Sequence, residues 1–132
     1  GWLVTGGRDG TICRFDAGSF GLACVTTEPA PKAIGAVEGV DFVLSSEDPL
    51  ISGFQADDWV LWDQRERQAL LRVRCGGWRR PHDKCVTGQE ACFAYTQGGS
   101  VVCVTASFPS GPPRALLPPH HGREVHAAKW LR

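Results

Sequence analysis

The sequence predicts an all-β protein built from repeated antiparallel sheets. Three stretches share one register: LVTGGRDGTICRFD from Leu3, LISGFQADDWVLWD from Leu50 and CFAYTQGGSVVCVT from Cys92. Each has an apolar run, a short turn and a second apolar run, and they recur at close to the ~40–45 residues of a WD repeat. Since such units form the four-stranded blades of propellers, the predicted fold is a WD-repeat β-propeller.

The 132 residues correspond to about three blades, whereas closed propellers have ~4–8. We therefore expect an excerpt of a longer chain, not a closed ring. Leaving a blade face of ~400 Å² uncovered forfeits about 10 kcal/mol, so we expect the excerpt to fold poorly alone. The predicted parts are a blade lacking its first strand (1–30), a second blade (33–76), a degenerate third (77–119) and the first strand of a fourth (120–132).

Turn residues and alternation place the individual strands. Asp9-Gly10 supplies the positive φ that a tight hairpin turn needs, and it separates predicted strands at 2–7 and 11–16, followed by an outer strand at 22–27. In the second unit, Leu71, Val73 and Cys75 alternate with arginines, which indicates an outer strand with one buried face. The strands expected in that unit lie at 36–44, 50–55, 59–63 and 69–75.

The third unit is the most degenerate. Gly98-Gly99 predicts a hairpin between strands at 92–97 and 100–105. The polar residues 76–84 predict a loop, with a short inner strand at 85–88. A Pro/Gly-rich loop follows at 107–113, then an outer strand at 114–117, and a fresh blade from His120.

The hydrogen-bonding signature of WD blades is incomplete in every unit. A well-formed blade links a histidine, a turn aspartate, a Ser or Thr and a strand Trp. Phe15 stands in the Trp position of the first unit and has no N–H donor. We interpret the remaining signature residues as structural: Thr5, Asp9, Phe15, Asp16, Ser52, Trp62 and Asp63.

Composition and motifs argue against catalysis. Lys plus Arg equals Asp plus Glu at 14 each, which gives no global basic field. The sequence contains no apolar run of ~18 residues, the length that would indicate a membrane span. We expect a cytoplasmic protein. There is no Gly-rich phosphate loop, G-x-S-x-G or H-E-x-x-H. We expect no catalytic site, no bound cofactor and no metal.

The six cysteines are interpreted as reduced thiols, as is usual in the cytosol. Disulfides are one alternative. The other is a metal site, although the spacing lacks a tight C-x-x-C pair. Its ligands would be Cys75, His82, Cys85 and Cys92.

The segment 65–84 is locally basic and contains an aromatic residue. Positive charge beside an aromatic ring can hold a phosphate backbone, although a solvated outer strand followed by a loop would have the same composition. The candidate RNA or partner contacts are Arg65, Arg67, Arg72, Arg74, Trp78, Arg79, Arg80 and Lys84.

A short motif supports a different function. Trp62-Asp63-Gln64-Arg65 is similar to the Trp-Asp-x-Arg pattern of WD-repeat substrate receptors of cullin-RING ubiquitin ligases. In those receptors the arginine contacts the surface of the ligase adaptor. A ubiquitin-ligase receptor is therefore one alternative, and a generic protein-interaction scaffold is another.

Longer strings resemble one family, the WD-repeat protein 6 family. They are LVTGGRDG, GFQADDWVLWDQRERQALLRVRCGG, ACFAYTQGGSVV and HGREVHAAK. The resemblance implies a non-catalytic adaptor of an FtsJ-like methyltransferase, whose own cofactor is S-adenosylmethionine. That pair 2′-O-methylates the wobble nucleotide of tRNA, and the WD subunit positions the tRNA. Residues 79–84 depart from the family pattern, so the resemblance does not place RNA contacts there.

Overall fold

The computed structural model describes residues 1–18, 21, 23–43 and 48–108, and within these ranges the chain is all-β with no helix. The fold class expected from the sequence is confirmed. The described residues form ten strands: β1 (Trp2–Gly6), β2 (Thr11–Asp16), β3 (Ala23–Pro29), β4 (Ala36–Asp41), β5 (Leu50–Gln55), β6 (Asp58–Asp63), β7 (Gln68–Arg74), β8 (His82–Val86), β9 (Glu90–Gln97) and β10 (Ser100–Ser107).

The strands form three antiparallel meanders that do not close into a ring. Sheet I has the order β1-β2-β3, sheet II the order β4-β5-β6-β7 and sheet III the order β8-β9-β10. Each strand pairs with its neighbour along the chain. This is the connectivity of a propeller blade, in which short turns join every pair of strands.

Sheet II lies between the other two and is buried on both faces. Its residues alternate between two cores, as the pleat of a strand requires. One face packs on sheet I through a set of aliphatic side chains: Ile12, Ile34, Val37, Ile51 and Val60. The other face packs on sheet III through larger side chains: Leu50, Phe54, Trp59, Leu61, Val73, Phe93 and Tyr95.

The segment after Gly77 differs from its prediction. Residues 76–84 were expected to be a loop, yet β8 begins at His82, which pairs with Tyr95. Lys84 therefore belongs to a strand. The start of the strand was missed because His82, Asp83 and Lys84 give no apolar run, whereas the inner strand predicted at 85–88 overlaps the last two residues of β8.

Two further expectations concern the ends of predicted segments. The inner strand of sheet II was expected over 36–44 and ends at Asp41, with a register shift between Val37 and Gly39. The outer strand at 114–117 and the fourth blade at 120–132 lie outside the described residues.

Candidate functional site

The basic segment 65–84 runs from one end of sheet II to the other through β7 and then enters β8 of sheet III. Strand β6 runs from Asp58 to Asp63, and β7 returns antiparallel, so that Arg74 lies opposite Asp58. Arg65 and Arg67 lie in the turn that follows Asp63. Since a strand of this length spans about 17 Å, the segment contributes two separate surfaces, called here the Asp58 end and the Asp63 end.

At the Asp63 end, the aspartate of the Trp-Asp motif organises the turn. Its Oδ1 accepts hydrogen bonds from the backbone N–H of Arg65 at 2.9 Å and of Glu66 at 3.1 Å. Trp62 packs against the core between sheets I and II. The side chain of Arg65 is 65% exposed, with its Nε 3.7 Å from Glu66. Arg67 adopts a positive φ of 53°, as turn residues do.

At the Asp58 end, a Cys-Gly-Gly sequence folds the chain back over the β5–β6 turn. The backbone N–H groups of Cys75, Gly76 and Gly77 all donate to the carbonyl oxygen of Asp57, at 3.0, 3.0 and 3.2 Å. Both glycines have φ above 80°, a region open to glycine at little cost. This arrangement fixes the position of the residue that follows, Trp78.

Trp78 lies beside two arginines, one from the β1–β2 turn of sheet I and one from its own loop. The indole is 52% exposed. The guanidinium carbon of Arg79 lies 5.6 Å from its ring centroid, and that of Arg8 lies 5.3 Å away. Both distances are within the range of cation–π attraction. We call Arg8, Trp78 and Arg79 the Trp78 cluster.

Arg8 was not singled out by the sequence analysis. It belongs to the β1–β2 turn of sheet I, far from Trp78 along the chain. The only signal was the repeat register, since equivalent turns of adjacent blades lie at the same rim of a propeller. That register predicts that the turns of adjacent blades lie close together, but it does not predict which of their side chains are in contact.

The other candidate cations differ in whether their charged groups already have partners within the protein. Arg72 Nη1 pairs with Asp58 Oδ2 at 3.1 Å. Lys84 pairs with Asp41, and its side chain is only 24% exposed. Arg80 Nη1 donates to the carbonyl of Thr96 at 3.3 Å. Arg74 is exposed at the end of β7, and the described residues give its guanidinium no ion-pair partner.

The innermost strands of sheets II and III are joined by polar contacts that the sequence did not reveal. His82 Nε2 lies 3.0 Å from Glu38 Oε2, and His82 Nδ1 lies 2.7 Å from the carbonyl of Arg80. His82 therefore links the Arg80 carbonyl of the preceding loop to Glu38 of β4. With Lys84, these residues border a small cleft of about 180 Å³.

The predicted signature residues stabilise local turns. Asp9 Oδ1 accepts from the Thr11 hydroxyl at 2.7 Å and from the Thr11 N–H at 3.1 Å, and these bonds hold the pKa of Asp9 below its usual value. Asp16 accepts from the N–H of Gly18 at 2.8 Å. The other members lie within strands, namely Thr5 in β1, Phe15 in β2 and Ser52 in β5.

Ser52 is buried without the hydrogen bonds that a complete WD blade would supply. Its side chain is fully buried, and its hydroxyl has no hydrogen-bond partner among the described residues. Trp62 cannot supply one, because it pairs with Ile51 in the strand register and lies on the opposite face of sheet II. An unpaired buried hydroxyl costs about 1–3 kcal/mol, so packing has to compensate for it.

The alternative metal ligands do not come together. Cys75 is buried in the core between sheets II and III, and alternation places Cys85 on the opposite face of β8 from His82. No group of three metal-binding side chains occurs in the described part of the chain. The six cysteines are free thiols. No helix in the described ranges is long and apolar enough to cross a membrane.

Comparison with curated proteins identifies relatives along almost the whole chain. The tRNA (34-2′-O)-methyltransferase regulator WDR6 of Bos taurus is 29% identical over 130 residues. The proteins of the same name from Homo sapiens and Mus musculus are each 28% identical over 130 residues. This chain resembles the WD-repeat protein 6 family. The resemblance expected from the sequence is thereby confirmed, and the three open sheets are a fragment of a WD-repeat β-propeller.

The alignments cover 98% of this chain and 12% of the length of these relatives. The chain therefore matches a small part of much longer proteins. No protein-family model matches the chain. No solved structure matches it at a significant level.

Proposed function

We propose that this chain is part of a non-catalytic WD-repeat subunit that assists a 2′-O-methyltransferase acting on the wobble nucleotide of tRNA. The observation that carries the proposal is the similarity, over 98% of the chain, to proteins named regulators of a tRNA (34-2′-O)-methyltransferase. The partner is proposed to be an FtsJ-like enzyme that binds S-adenosylmethionine. The complex is proposed to act in the cytoplasm.

The remainder of a longer, multi-propeller chain is proposed to contact this chain at the edge where sheets I and II meet. Trp2 is 64% exposed there, Val25 and Phe42 are each 52% exposed, and they border a cleft of about 620 Å³ that residues of both sheets line. Surfaces of this kind usually mark an interaction site. A further blade is the proposed occupant, because the matched relatives are much longer than this chain.

The Trp78 cluster is proposed as the RNA contact of this segment. An exposed indole can stack on an unpaired base, and neighbouring arginines can hold the adjoining phosphates. Arg74 lies at the same end of sheet II. Arg72 and Lys84 are poorer candidates than the sequence indicated, since their charges are already paired with Asp58 and Asp41.

Depletion of the protein, followed by mapping of 2′-O-methylation at tRNA position 34, tests the function. We expect the modification to fall and to be restored by re-expressing the full-length chain. If the tRNA stays fully methylated after depletion, the proposed function is wrong.

Binding of tRNA by the full-length protein with its methyltransferase tests the Trp78 cluster. Trp78→Ala removes a stacking surface worth about 1–3 kcal/mol, or about 5- to 150-fold in affinity. Arg8→Ala and Arg79→Ala should each flatten the dependence of log K on log salt by about 0.7–0.9 for every phosphate that the variant no longer neutralises. Arg72→Ala is the matched control, because that arginine is paired with Asp58. Equal effects of Arg72→Ala and Arg79→Ala would reject this surface.

A ubiquitin-ligase receptor remains the second candidate function, because Arg65 is exposed immediately after the turn that Asp63 organises. Copurification distinguishes the two. A ligase adaptor that is recovered with the wild-type protein and lost with Arg65→Ala would favour the second candidate. Recovery of a methyltransferase with both proteins would favour the first.

A further inference from the structure

The face of sheet III that points away from sheet II carries three thiols. In β9, Ala91, Phe93 and Tyr95 are buried toward sheet II, so the intervening Cys92 lies on the opposite face. Cys103 of β10 reaches across the hairpin, and the two Sγ atoms are 2.9 Å apart. Cys85 of β8 lies directly opposite Cys92 in the strand register.

The two sulfurs in contact are not equivalent. Burial and the neighbouring groups act on Cys92, but the largest cause that raises the pKa of its thiol is the hydrogen bond with Cys103. The same contact that raises this pKa holds the two sulfurs 2.9 Å apart. Among the described residues Cys103 is exposed and Cys92 is partly buried, so Cys103 is assigned as the thiol that attacks the oxidant.

A second cysteine pair in the same chain provides a contrast. Cys13 of β2 and Cys24 of β3 lie on adjacent strands of sheet I. The hydroxyl of Thr27 lies 3.6 Å from each sulfur, whereas the structure gives no direct contact between the two sulfurs. Proximity of sulfur to sulfur is thus particular to the β9–β10 hairpin among the described residues.

We propose that Cys92 and Cys103 form a redox modification site, at which a hydroperoxide converts the two thiols into a disulfide. A disulfide has an S–S length of about 2.05 Å, so the sulfurs have about 0.9 Å left to approach. The inference is independent of the role in tRNA methylation. Cys85 is the neighbouring thiol and is not a member of the pair.

The proposed reaction balances with the hydroperoxide as the oxidant. The Cys103 sulfur attacks the terminal peroxide oxygen, an S–O bond forms as the O–O bond breaks, and the remaining oxygen leaves as an alcohol or water with the thiol proton. Cys92 then attacks the sulfenic sulfur of Cys103. An S–S bond forms, the S–O bond breaks, and water leaves with the proton of Cys92. Two thiols lose two electrons, and the peroxide gains them.

Peptide mapping of the full-length protein after a low dose of hydrogen peroxide tests the site. Free thiols are alkylated and the protein is digested. Trypsin leaves all three cysteines in peptide 85–114, which should lose the mass of two hydrogen atoms. Additional cleavage by chymotrypsin after Phe93 and Tyr95 separates Cys92 from Cys103, and the two fragments should then be found cross-linked until a dithiol reductant is added.

Variants decide which thiols react. Cys85→Ser should leave the cross-link unchanged, whereas Cys103→Ser should abolish it and leave Cys92 open to alkylation. Cys13 and Cys24 serve as the internal control and should remain alkylated at the same dose. The proposal is overturned if oxidation spreads evenly over all exposed cysteines, if Cys85 and Cys92 become linked instead, or if the three thiols retain stoichiometric Zn²⁺ added alone. Failure of the native protein to react at a dose that cross-links the unfolded chain would overturn it as well.

Discussion

The two interfaces between neighbouring sheets, called here joints, are formed by different kinds of side chain. Sheets I and II meet through small aliphatic side chains such as Ile12 and Ile51, and through a backbone bond from Val37 N–H to the carbonyl of Gly7 at 3.1 Å. Sheets II and III meet through an aromatic stack, in which the Trp59 and Phe93 rings lie 4.2 Å apart at 12°.

The joint between sheets II and III, which contains the larger side chains, involves sheet III, the more degenerate unit. Sheet III has Ala94, Gly98 and Val104 where a WD blade would carry its network residues, yet it contributes the aromatic side chains of Phe93 and Tyr95 to the joint. A hydrogen bond from His82 to Glu38 and an ion pair from Lys84 to Asp41 add to that joint. The contrast indicates that packing between neighbouring blades can maintain a repeat whose internal hydrogen bonds have disappeared.

The strongest effect should come from removing the stack at the sheet II–III joint. Phe93→Ala should destabilise the protein by about 3–5 kcal/mol, because it removes a fully buried ring and leaves a cavity. Hydrogen exchange in the full-length chain should accelerate in β6, β8 and β9. Ile12→Val at the other joint is the comparison, with an expected cost of about 0.5–1.5 kcal/mol. If both variants loosen both joints equally, the joints do not act as separate units.

A close backbone approach within sheet II gives the next strongest effect. A Cβ on Gly53 would lie 2.0 Å from the carbonyl oxygen of Ala36 and 2.7 Å from the side chain of Ile34. Gly53→Ala therefore has to push β4 away from β5, and we expect a cost of about 1–3 kcal/mol. Exchange should accelerate at the sheet I–II joint, to which Ile34 belongs.

Gly88→Ala is the matched control for this effect. Its Cβ would meet only the Val43 side chain at an ordinary 3.5 Å. A Gly53→Ala protein as stable as Gly88→Ala would show that β4 and β5 can separate freely at this point.

The joints also show which parts of the structure the sequence could predict. The hairpins β1–β2, β5–β6 and β9–β10 were predictable, because apolar runs flank turn residues such as Asp9-Gly10 and Gly98-Gly99. The start of strand β8 was not, because it is polar and because Glu38 and Asp41, which contact His82 and Lys84, are distant in sequence.

The candidate site was predictable only in part. The sequence indicated Trp78 and Arg79 from local composition, but it could not indicate that Arg8 joins them or that Asp58 and Asp41 pair with Arg72 and Lys84. Contacts of this kind depend on which rims and strands become neighbours in three dimensions. Taken alone, the sequence shows only that the segment 65–84 is basic.

The weakest effect is a pH dependence confined to the sheet I–II joint. The Thr11 hydroxyl and N–H lower the pKa of Asp9 from its usual 3.8, and the same turn holds the Gly7 carbonyl that meets Val37. A lowered folded-state pKa means that this contribution to stability is present above the unfolded pKa and is lost as the pH falls through the folded value. Amides of the β1–β2 hairpin should therefore exchange faster on acidification, while those of β9 should not respond to this group.

Thr11→Val identifies the cause of that dependence. It removes the hydroxyl donor at 2.7 Å but keeps the backbone donor at 3.1 Å, so the pKa of Asp9, followed by carboxyl NMR titration, should rise toward 3.8. Thr5→Val is the control, since Thr5 lies within β1 opposite Cys13 and makes no bond to Asp9 among the described residues. An Asp9 titration that is the same in both variants would mean that the turn is not held by Thr11, and that acid sensitivity of this joint has another origin.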